Sequence, residues 1–482
     1  MVDVRPIGYV IGCLVALLGV SMLAPLLVDV LQGQDHWPAF AQSLVLTLMV
    51  GGSLALSCQS GRREGLNIRQ SFLLTTGVWL ALPVFGALPF WMGSTESRFV
   101  DAFFESMSGL TTTGSTVFSG LEQLPRGLLL WRAMLQWIGG IGIIVVAMVF
   151  LPELRVGGMQ IFRSEGFDTF GKILPRATQI AARISVVYLA LTVLCALAYV
   201  LGGLSAFDAI THAMTTIATG GFANYDDSFG TLGAGVEYTA IVFMLLAALP
   251  FVRFVQLMGG TARPLLRDSQ IHAFLLTALA VVLLVSAWQF LHQEAPSEQT
   301  LRKSLFNTVS LLTGTGYASA DYTAWGSFPV AVLFFVGLIG GCAGSTACSI
   351  KIFRYQLLFA SVRMQLRMLH APRGVFIPRY QGRYVEEDVI NSVMAFFVAF
   401  VATLGVLAVA LGLMGLDFTT ALSAAAAALA NIGPGMGEII GPSGNYASLS
   451  DAAKWLLAAA MLIGRLELMA VYAILTLRFW RS

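Results

Sequence analysis

Four short segments rich in threonine and glycine recur along the chain, and each is followed by an apolar stretch. Backbone carbonyls and threonine hydroxyls in such segments can supply the uncharged oxygen ligands that bind a dehydrated monovalent cation. The segments recur at roughly 100-residue intervals, which indicates one structural unit used four times around a common centre. They occupy 109–116, 215–222, 311–317 and 430–435.

A single segment of this kind has a simpler interpretation, since small residues also allow membrane helices to pack closely. Four segments in matching positions favour an ion filter over that alternative. The fourth, Asn431-Ile432-Gly433, lacks the threonines of the others. The filter is therefore expected to be only roughly four-fold, with glycine backbone as its common element.

The composition places these segments in a membrane. Of 482 residues, 57% are hydrophobic and 11% are charged, whereas soluble domains carry about 25% charged residues. A membrane-spanning helix needs about 20 apolar residues. Ten stretches have this character, and the first is interpreted as a retained span: 7–31, 40–58, 71–92, 128–151, 184–203, 235–258, 271–291, 329–350, 389–415 and 453–477.

The basic residues indicate how these spans are oriented. Ten spans place both termini on one side, and 21 of the 28 Lys and Arg residues fall in the segments on that side. Because positive charge accumulates in cytoplasmic loops, both termini are predicted to be cytoplasmic. The seven basic residues from Lys351 to Arg383 have a second possible role, docking an acidic surface or anionic lipid headgroups.

A short semi-polar helix is predicted before each threonine and glycine segment, at 101–112, 207–216, 304–313 and 417–426. About twelve residues make ~18 Å of helix, which reaches only halfway through the bilayer. Asp101, Asp208, Ser304 and Asp417 lie at or near the starts and suit helix capping. The C-terminal ends then point inward, and their partial negative charges stabilise a cation near the midplane.

The chain is therefore predicted to be an all-α polytopic membrane protein. Four pseudo-repeated units, each a span, pore helix, filter loop and span, surround one central pore. A pair of spans in 1–68 precedes the repeats, which are assigned to 69–160, 161–262, 263–370 and 371–482.

A second group of small residues interrupts the span that begins near residue 329. The run from Gly340 to Lys351 is rich in Gly, Ser and other small residues. It has low helix propensity and little bulk, so it can unwind into a conduction path. The alternative is a helix that is kinked for close packing.

Arg465 lies near the middle of the last predicted span. A central arginine costs at least about 2.5 to 3.5 kcal/mol on insertion, so its side chain is expected to face the pore or a partner. A structural ion pair with a carboxylate elsewhere is the alternative. Glu467 is a poor candidate, because residues i and i+2 diverge on a helix.

With these features, the chain resembles the TrkH-type membrane subunit of the Trk/Ktr/HKT potassium transporter superfamily over essentially its whole length. The resemblance implies one filter glycine per repeat, at Gly114, Gly220, Gly316 and Gly433, and selectivity for potassium. The implied potassium ligands are Thr113, Gly114, Thr219, Gly220, Thr315, Gly316, Ile432 and Gly433, with Thr112 also assigned to the filter.

The resemblance also implies an intramembrane gating loop beneath the third filter and an arginine that acts as a barrier below it. The implied gate residues are Gly340, Gly341, Gly344, Ser345, Thr346, Lys351 and Arg465. Cys348 and Ser349 stand where the family often has two glycines, which affects the expected flexibility of the loop.

The implied setting is a bacterial cytoplasmic (inner) membrane, where the chain contacts lipid and forms a homodimer. A cytoplasmic ring of RCK-type nucleotide-binding regulatory subunits is the implied partner. Potassium is the bound ion, and neither an organic cofactor nor nucleic acid is expected.

Three classes of function are compared. Channel-like potassium uptake requires filters and a gate, and both are predicted. A symporter coupled to protons or sodium requires a titratable carboxylate or a second ion site in the path. Asp29 and Glu467 are the acids well inside spans and neither lies in a filter, which disfavours coupling. An intramembrane enzyme is not expected, since the sequence has neither HExxH nor paired intramembrane aspartates.

Overall fold

The computed structural model describes residues 3–63, 66–93, 95–149, 157–159, 161, 177–292 and 297–481. Regular structure in these ranges is helical apart from one small hairpin, in which Arg379–Tyr380 (β1) pairs antiparallel with Arg383–Tyr384 (β2). The predicted N-terminal pair of spans is formed by α1 (Arg5–Ser21), α2 (Leu23–Leu31) and α3 (Trp37–Ser57), followed by a 3-10 turn, Gln59–Arg63.

The ranges assigned to the first two repeats each contain a short helix between longer ones. The first range holds α4 (Ile68–Gly86), α5 (Leu88–Trp91), α6 (Phe99–Leu110), a 3-10 turn (Leu121–Gln123) and α7 (Arg126–Val149). The second holds α8 (Ala177–Leu201), α9 (Ala206–Ile217), α10 (Ala234–Ala247) and α11 (Phe251–Met258). The boundary assigned between them, at residue 160, lies outside the described residues, as do Arg155, Arg163, Lys172 and Arg176.

The last two ranges repeat this order. The third holds α12 (Arg263–Leu266), α13 (Ser269–His292), α14 (Glu298–Thr313), a 3-10 turn (Tyr322–Trp325), α15 (Ser327–Gly337) and α16 (Ile352–His370). The fourth holds the hairpin, α17 (Glu387–Leu413), α18 (Phe418–Ala430), α19 (Asp451–Arg465), α20 (Met469–Leu475) and α21 (Leu477–Arg481).

Seven helical segments in the described ranges are long and apolar enough to cross a membrane as continuous spans. Two more predicted spans are broken: α10 and α11 meet at a bend of 89°, and α19 and α20 at a bend of 112°. The predicted spans at 235–258 and 453–477 therefore correspond to bent helix pairs and not to straight helices. Pro250 explains the first break, because it has no amide to donate and disfavours helix at the preceding residue.

The predicted span at 329–350 is helical only in α15, which ends at Gly337. Gly340 and Gly344 follow with φ of 80° and 73°, in the left-handed region that glycine enters without a steric penalty. An unwound segment, 338–351, therefore separates α15 from α16, at the place where the sequence predicts a break.

Four short helices, α6, α9, α14 and α18, are the predicted pore helices, with 12, 12, 16 and 13 residues. The start predicted at Ser304 is wrong: α14 begins at Glu298, and the Ser297 side chain caps it by accepting from the Thr300 amide at 3.1 Å. Asp417 does cap α18, accepting from the Thr420 amide at 3.1 Å. Hydrogen bonds from Thr420 lower the pKa of the Asp417 carboxyl.

Glycines determine how closely α1 packs against α3. A Cβ at Gly51 would lie 2.6 Å from the Ala16 amide nitrogen and 2.9 Å from the Gly12 carbonyl oxygen. These neighbours are backbone atoms of a helix, so they cannot move aside without separating the helices. The adjacent Gly52 has no atom within 4 Å of a Cβ.

We expect Gly51→Val to destabilise the protein by about 1 to 3 kcal/mol, because overpacking forces the two helices apart. Thermal unfolding in detergent would measure this. Gly52→Val is the matched control and should leave the melting temperature close to that of the wild type. Equal melting temperatures for the two variants would contradict the close packing of α1 on α3.

Candidate functional site

Each pore helix ends in the same left-handed turn. The turn residues have positive φ: Thr112 at 51°, Thr219 at 48°, Gly314 at 73° and Asn431 at 51°. The amide of the next residue donates to the carbonyl five residues earlier, a bond typical of Schellman helix ends. The bonds are Thr113 to Ser108 (2.8 Å), Gly220 to Thr215 (2.9 Å), Thr315 to Ser310 (2.9 Å) and Ile432 to Ala427 (3.0 Å).

The glycines that follow these turns bring the four loops into one closed ring. Gly114, Gly221, Gly316 and Gly433 have φ of 89°, 81°, 82° and 103°. A Cβ at any of them would come within 3.0 Å of a carbonyl oxygen of the next loop. The contacts run from Gly114 to Gly220, Gly221 to Thr315, Gly316 to Ile432 and Gly433 back to Thr113, so the ring closes in chain order.

In the second loop, Gly221 and not Gly220 is the equivalent of the filter glycines of the other loops. This differs by one residue from the assignment made from the sequence. Gly221 shares the positive φ and the neighbouring carbonyl of Gly114, whereas Gly220 corresponds to Thr113, Thr315 and Ile432. Thr219 corresponds to Thr112, at the helix end. The tandem Gly220-Gly221 conceals this register in the sequence, because either glycine can be aligned with Gly114.

The carbonyl oxygens of the ring are largely without hydrogen-bond donors. No described residue donates to the carbonyls of Thr113, Gly114, Thr315, Gly316 or Ile432. Unpaired carbonyls converging beside four helix C-termini form an electronegative site suited to a dehydrated cation. Within the described ranges, no cluster of three or more His, Cys, Asp or Glu side chains could hold a metal ion.

Side chains of α7 hold the second loop in place through hydrogen bonds. Gln136 donates to the Gly220 carbonyl at 2.5 Å and accepts from the Phe222 amide at 3.1 Å, so it holds both sides of Gly221. Arg132 donates to the Ala223 carbonyl at 2.8 Å and pairs with buried Glu105 at 2.8 Å. These residues are not among those predicted from the sequence, although polar side chains four residues apart on one face of an apolar span are a signal that indicates them.

The other loops have different supports. Ser115 and Tyr446 donate to the Gly433 carbonyl at 2.8 and 2.9 Å. Asn431 donates to the Thr113 hydroxyl at 2.9 Å and thereby joins loops four and one. The surroundings of the ring are therefore asymmetric, although its backbone repeats.

The unwound segment 338–351 lies against the helix-end side of the ring. The Cys348 Sγ atom lies 3.6 Å from the Thr112 hydroxyl oxygen. A Cβ added at Gly314 would lie 3.2 Å from the Cβ of Cys348. The Ser349 amide donates to the Ala430 carbonyl at 3.0 Å. One segment thus contacts the ends of three pore helices.

The gate residues predicted from the sequence, apart from Arg465, lie in this segment. Gly341 accepts from the Ile352 amide at 3.0 Å, Ser345 donates to the Cys342 carbonyl at 2.7 Å, and Thr346 donates to the Ala247 carbonyl at 3.0 Å. The Gly344 carbonyl accepts from the Phe251 amide at 2.9 Å, across the break in the α10/α11 span. These hydrogen bonds hold the segment against α10, α11 and the start of α16.

Arg465, the last residue of α19, reaches the same segment. It is 4% exposed, and Nη1 donates to Cys348 Sγ at 2.6 Å and to the Thr346 carbonyl at 3.5 Å. Nε and Nη2 have no hydrogen-bond partner among the described residues. No carboxylate in the described ranges pairs with Arg465, so the alternative of a structural ion pair finds no partner there.

Glu467 instead pairs with two other buried cations. It lies in the break between α19 and α20 with φ of 61°, where it binds Arg354 and lies 3.6 Å from Lys351 Nζ. Arg354 also donates to the Gly157 carbonyl at 2.8 Å. Lys351, one of the predicted gate residues, thus joins the end of the unwound segment to the broken last span.

A pocket lies on the side of the ring opposite to the unwound segment. Ring glycines Gly114, Gly221, Gly316 and Gly433 form its floor, with Arg132, Asp226 and Tyr446 among the wall residues. Asp226 accepts from the Gly120 and Leu121 amides at 2.7 and 3.0 Å. Its carboxylate therefore holds a loop of the wall in place.

Comparison with known proteins identifies close relatives of the chain. The TrkH family model, described as a cation transport protein, matches residues 36–478. The Trk system potassium uptake protein TrkI of Halomonas elongata is 44% identical over 99% of this chain and 97% of its own. The TrkH protein of Escherichia coli K12 is 36% identical over 99% of both chains.

A solved structure agrees with the architecture. The crystal structure of the potassium transporter TrkH from Vibrio parahaemolyticus matches with a TM-score of 0.91 and 34% sequence identity, covering 100% of both chains. This chain therefore shares the all-helical, multi-span architecture of that protein.

We expect Gly221→Ala to reduce cation transport more than Gly220→Ala does. At Gly221 the new Cβ meets a backbone carbonyl and φ is positive, whereas at Gly220 it meets the end of the Gln136 side chain, which can move. Alanine at this positive φ costs about 1 to 2 kcal/mol. A cost of this size corresponds to a loss of cation flux of about tenfold or more. Cation flux through each purified variant in liposomes would measure this loss. A larger loss in Gly220→Ala than in Gly221→Ala would contradict the loop register.

Proposed function

This chain belongs to the TrkH cation transport family, and from that premise we propose that it conducts potassium into the cell through the ring of four loops. The observation that carries the proposal is the closed ring itself. Most of its carbonyl oxygens accept no hydrogen bond from the described residues, and its glycines cannot accept a side chain without displacing a neighbouring carbonyl. Such a ring replaces the hydration shell of a monovalent cation.

The potassium ligands in this proposal are the backbone carbonyls of the ring. They include those of the predicted residues Thr113, Gly114, Gly220, Thr315, Gly316, Ile432 and Gly433, with Gly221 added by the register. Thr219, also predicted from the sequence, is the equivalent of Thr112 in this register. Gly220 and Gly433 already accept side-chain hydrogen bonds, so their carbonyls are expected to be weaker ligands. Thr112 is assigned to the helix-end turn at the inner edge of the ring.

Gating is assigned to the unwound segment and Arg465. The segment contacts three pore-helix ends, and Arg465 places a positive charge with two unpartnered donors beside it. A fixed positive charge there raises the barrier for a cation that leaves the filter. Conduction then requires Arg465 and the segment around Cys348 to move together.

Channel-like conduction is favoured over coupling to protons or sodium. The buried carboxylates in the described ranges are Asp29, Glu105, Glu237, Asp268 and Glu467. The four besides Asp29 pair with buried or partly buried cations, and Asp29 accepts from the Gly127 amide at 2.6 Å. None is an unpaired carboxylate at the ring.

The setting in this proposal is the bacterial inner membrane, with both termini in the cytoplasm. The excess of basic residues in the segments on the side of the termini supports this orientation. A homodimer and a cytoplasmic ring of RCK-type nucleotide-binding subunits are proposed from the family relationship. This chain requires no organic cofactor in the proposed transport.

We expect purified protein in liposomes to pass potassium and rubidium at least about tenfold faster than sodium, because the rigid carbonyl ring suits the larger ions. The reversal potential should follow the potassium gradient alone. Liposomes without protein and liposomes with the Gly221→Ala variant are the controls. A reversal potential that shifts with an imposed proton or sodium gradient would establish coupled symport instead.

Arg465→Ala should raise potassium flux through the isolated membrane subunit by about tenfold, the effect of lowering a barrier by about 1.4 kcal/mol. Arg465→Lys keeps the charge and should stay close to the wild type. Cys348→Ala, which removes a hydrogen-bond acceptor of Arg465, should give an intermediate flux. Arg481→Ala, at the exposed chain end, is the charge control. An unchanged flux in Arg465→Ala would rule out the barrier role.

A further inference from the structure

A cleft of about 310 Å³ lies between the C-terminal half of α16 and the chain that leads to the hairpin. Arg363 and Arg367 line it from the helix, and Arg379 lines it from β1. Met364, Phe376 and Ile377 supply apolar walls. No carboxylate lines this cleft.

The charges in the cleft are not neutralised within the described part of the chain. Arg363 and Arg367 are four residues apart on one helix face and form no ion pair with any described residue. Like charges at this spacing repel each other. Arg379 donates to the Tyr384 hydroxyl at 2.9 Å, which leaves its charge intact. Three guanidinium groups that line one cleft favour an anion with several acceptor oxygens, as a phosphate has.

Exposed apolar side chains continue along the same helix from the cleft. Phe359, Val362 and Leu366 are 65%, 48% and 53% exposed, and their spacing puts them on one helix face. Ile377 adds a 55% exposed side chain at the cleft itself. A purely water-soluble anion would leave this apolar stripe uncovered.

The chain order places the cleft close to the start of a membrane span. Helix α16 begins directly after the segment beneath the filter, and its 19 residues extend over about 28 Å. The span α17 begins at Glu387, three residues after β2. The arginines thus lie near the level at which a span enters the bilayer, on the side that the orientation proposed above assigns to the cytoplasm.

We propose that this cleft binds the headgroup of an anionic phospholipid from the cytoplasmic leaflet. Arg363, Arg367 and Arg379 donate to the phosphate oxygens, and an acyl chain covers Phe359, Val362 and Leu366. The anionic lipids of that leaflet supply the charge. This inference depends on the membrane orientation and not on ion selectivity.

Native mass spectrometry of protein released from nanodiscs of equal phosphatidylglycerol and phosphatidylcholine tests the proposal. The wild type should retain phosphatidylglycerol in preference to phosphatidylcholine. Arg363→Gln and Arg367→Gln should each lower that preference about fivefold, and the double variant further. Arg373→Gln removes an exposed charge of the same region that does not line the cleft, and it should retain the wild-type preference.

Four outcomes would overturn the proposal. Equal loss of lipid in Arg373→Gln would indicate a diffuse charge effect, and undiminished phosphatidylglycerol retention in the double variant would exclude the cleft. Displacement of the lipid by millimolar inorganic phosphate would indicate a phosphate site instead. A second variant, Val362→Ser with Leu366→Ser, tests the acyl contact and should weaken retention of phosphatidylglycerol while the melting temperature remains unchanged. Lipid retention equal to the wild type in that variant would also count against a lipid occupant.

Discussion

Backbone that leaves a helix at membrane depth must have its polar groups paired or turned towards a polar path. The left-handed turns at Thr112, Thr219, Gly314 and Asn431 pair the next amides back to their own helices. The carbonyls that follow are left to converge on one another. Because hydrocarbon cannot solvate them, a path holding water or a cation is the condition under which this ring is stable.

The buried charges follow a second constraint, since an unpaired charge in a low-dielectric interior is strongly destabilising. Arg132 pairs with Glu105, Arg302 with Glu237, and Arg354 with Glu467. Arg465 departs from this pattern, because its described hydrogen bonds go to a thiol and a carbonyl and no described carboxylate pairs with it. Under the proposed gating, its position beside the filter gives this charge a role in transport.

Sequence patterns predicted the pore helices, the break after α15 and the intramembrane position of Arg465. They could not predict contacts that depend on the three-dimensional arrangement of distant segments. Glu467 meets Lys351 and Arg354 only because the last span breaks at 112° and turns its side chain towards α16. The start of α14 was missed because Glu298 to Lys303 is too polar to suggest a membrane helix, although it is paired within the protein.

The asymmetry around the ring bears directly on gating. Loop two is held by Gln136 and Arg132 of the preceding unit, and it has no direct hydrogen bond to the unwound segment among the described residues. The ends of α6, α14 and α18 meet that segment through Cys348 and Ser349. Displacing one short stretch of chain therefore releases contacts at three of the four pore-helix ends while the second loop stays anchored. Under the proposed gating, the supports of the second loop are therefore separate from the part that moves.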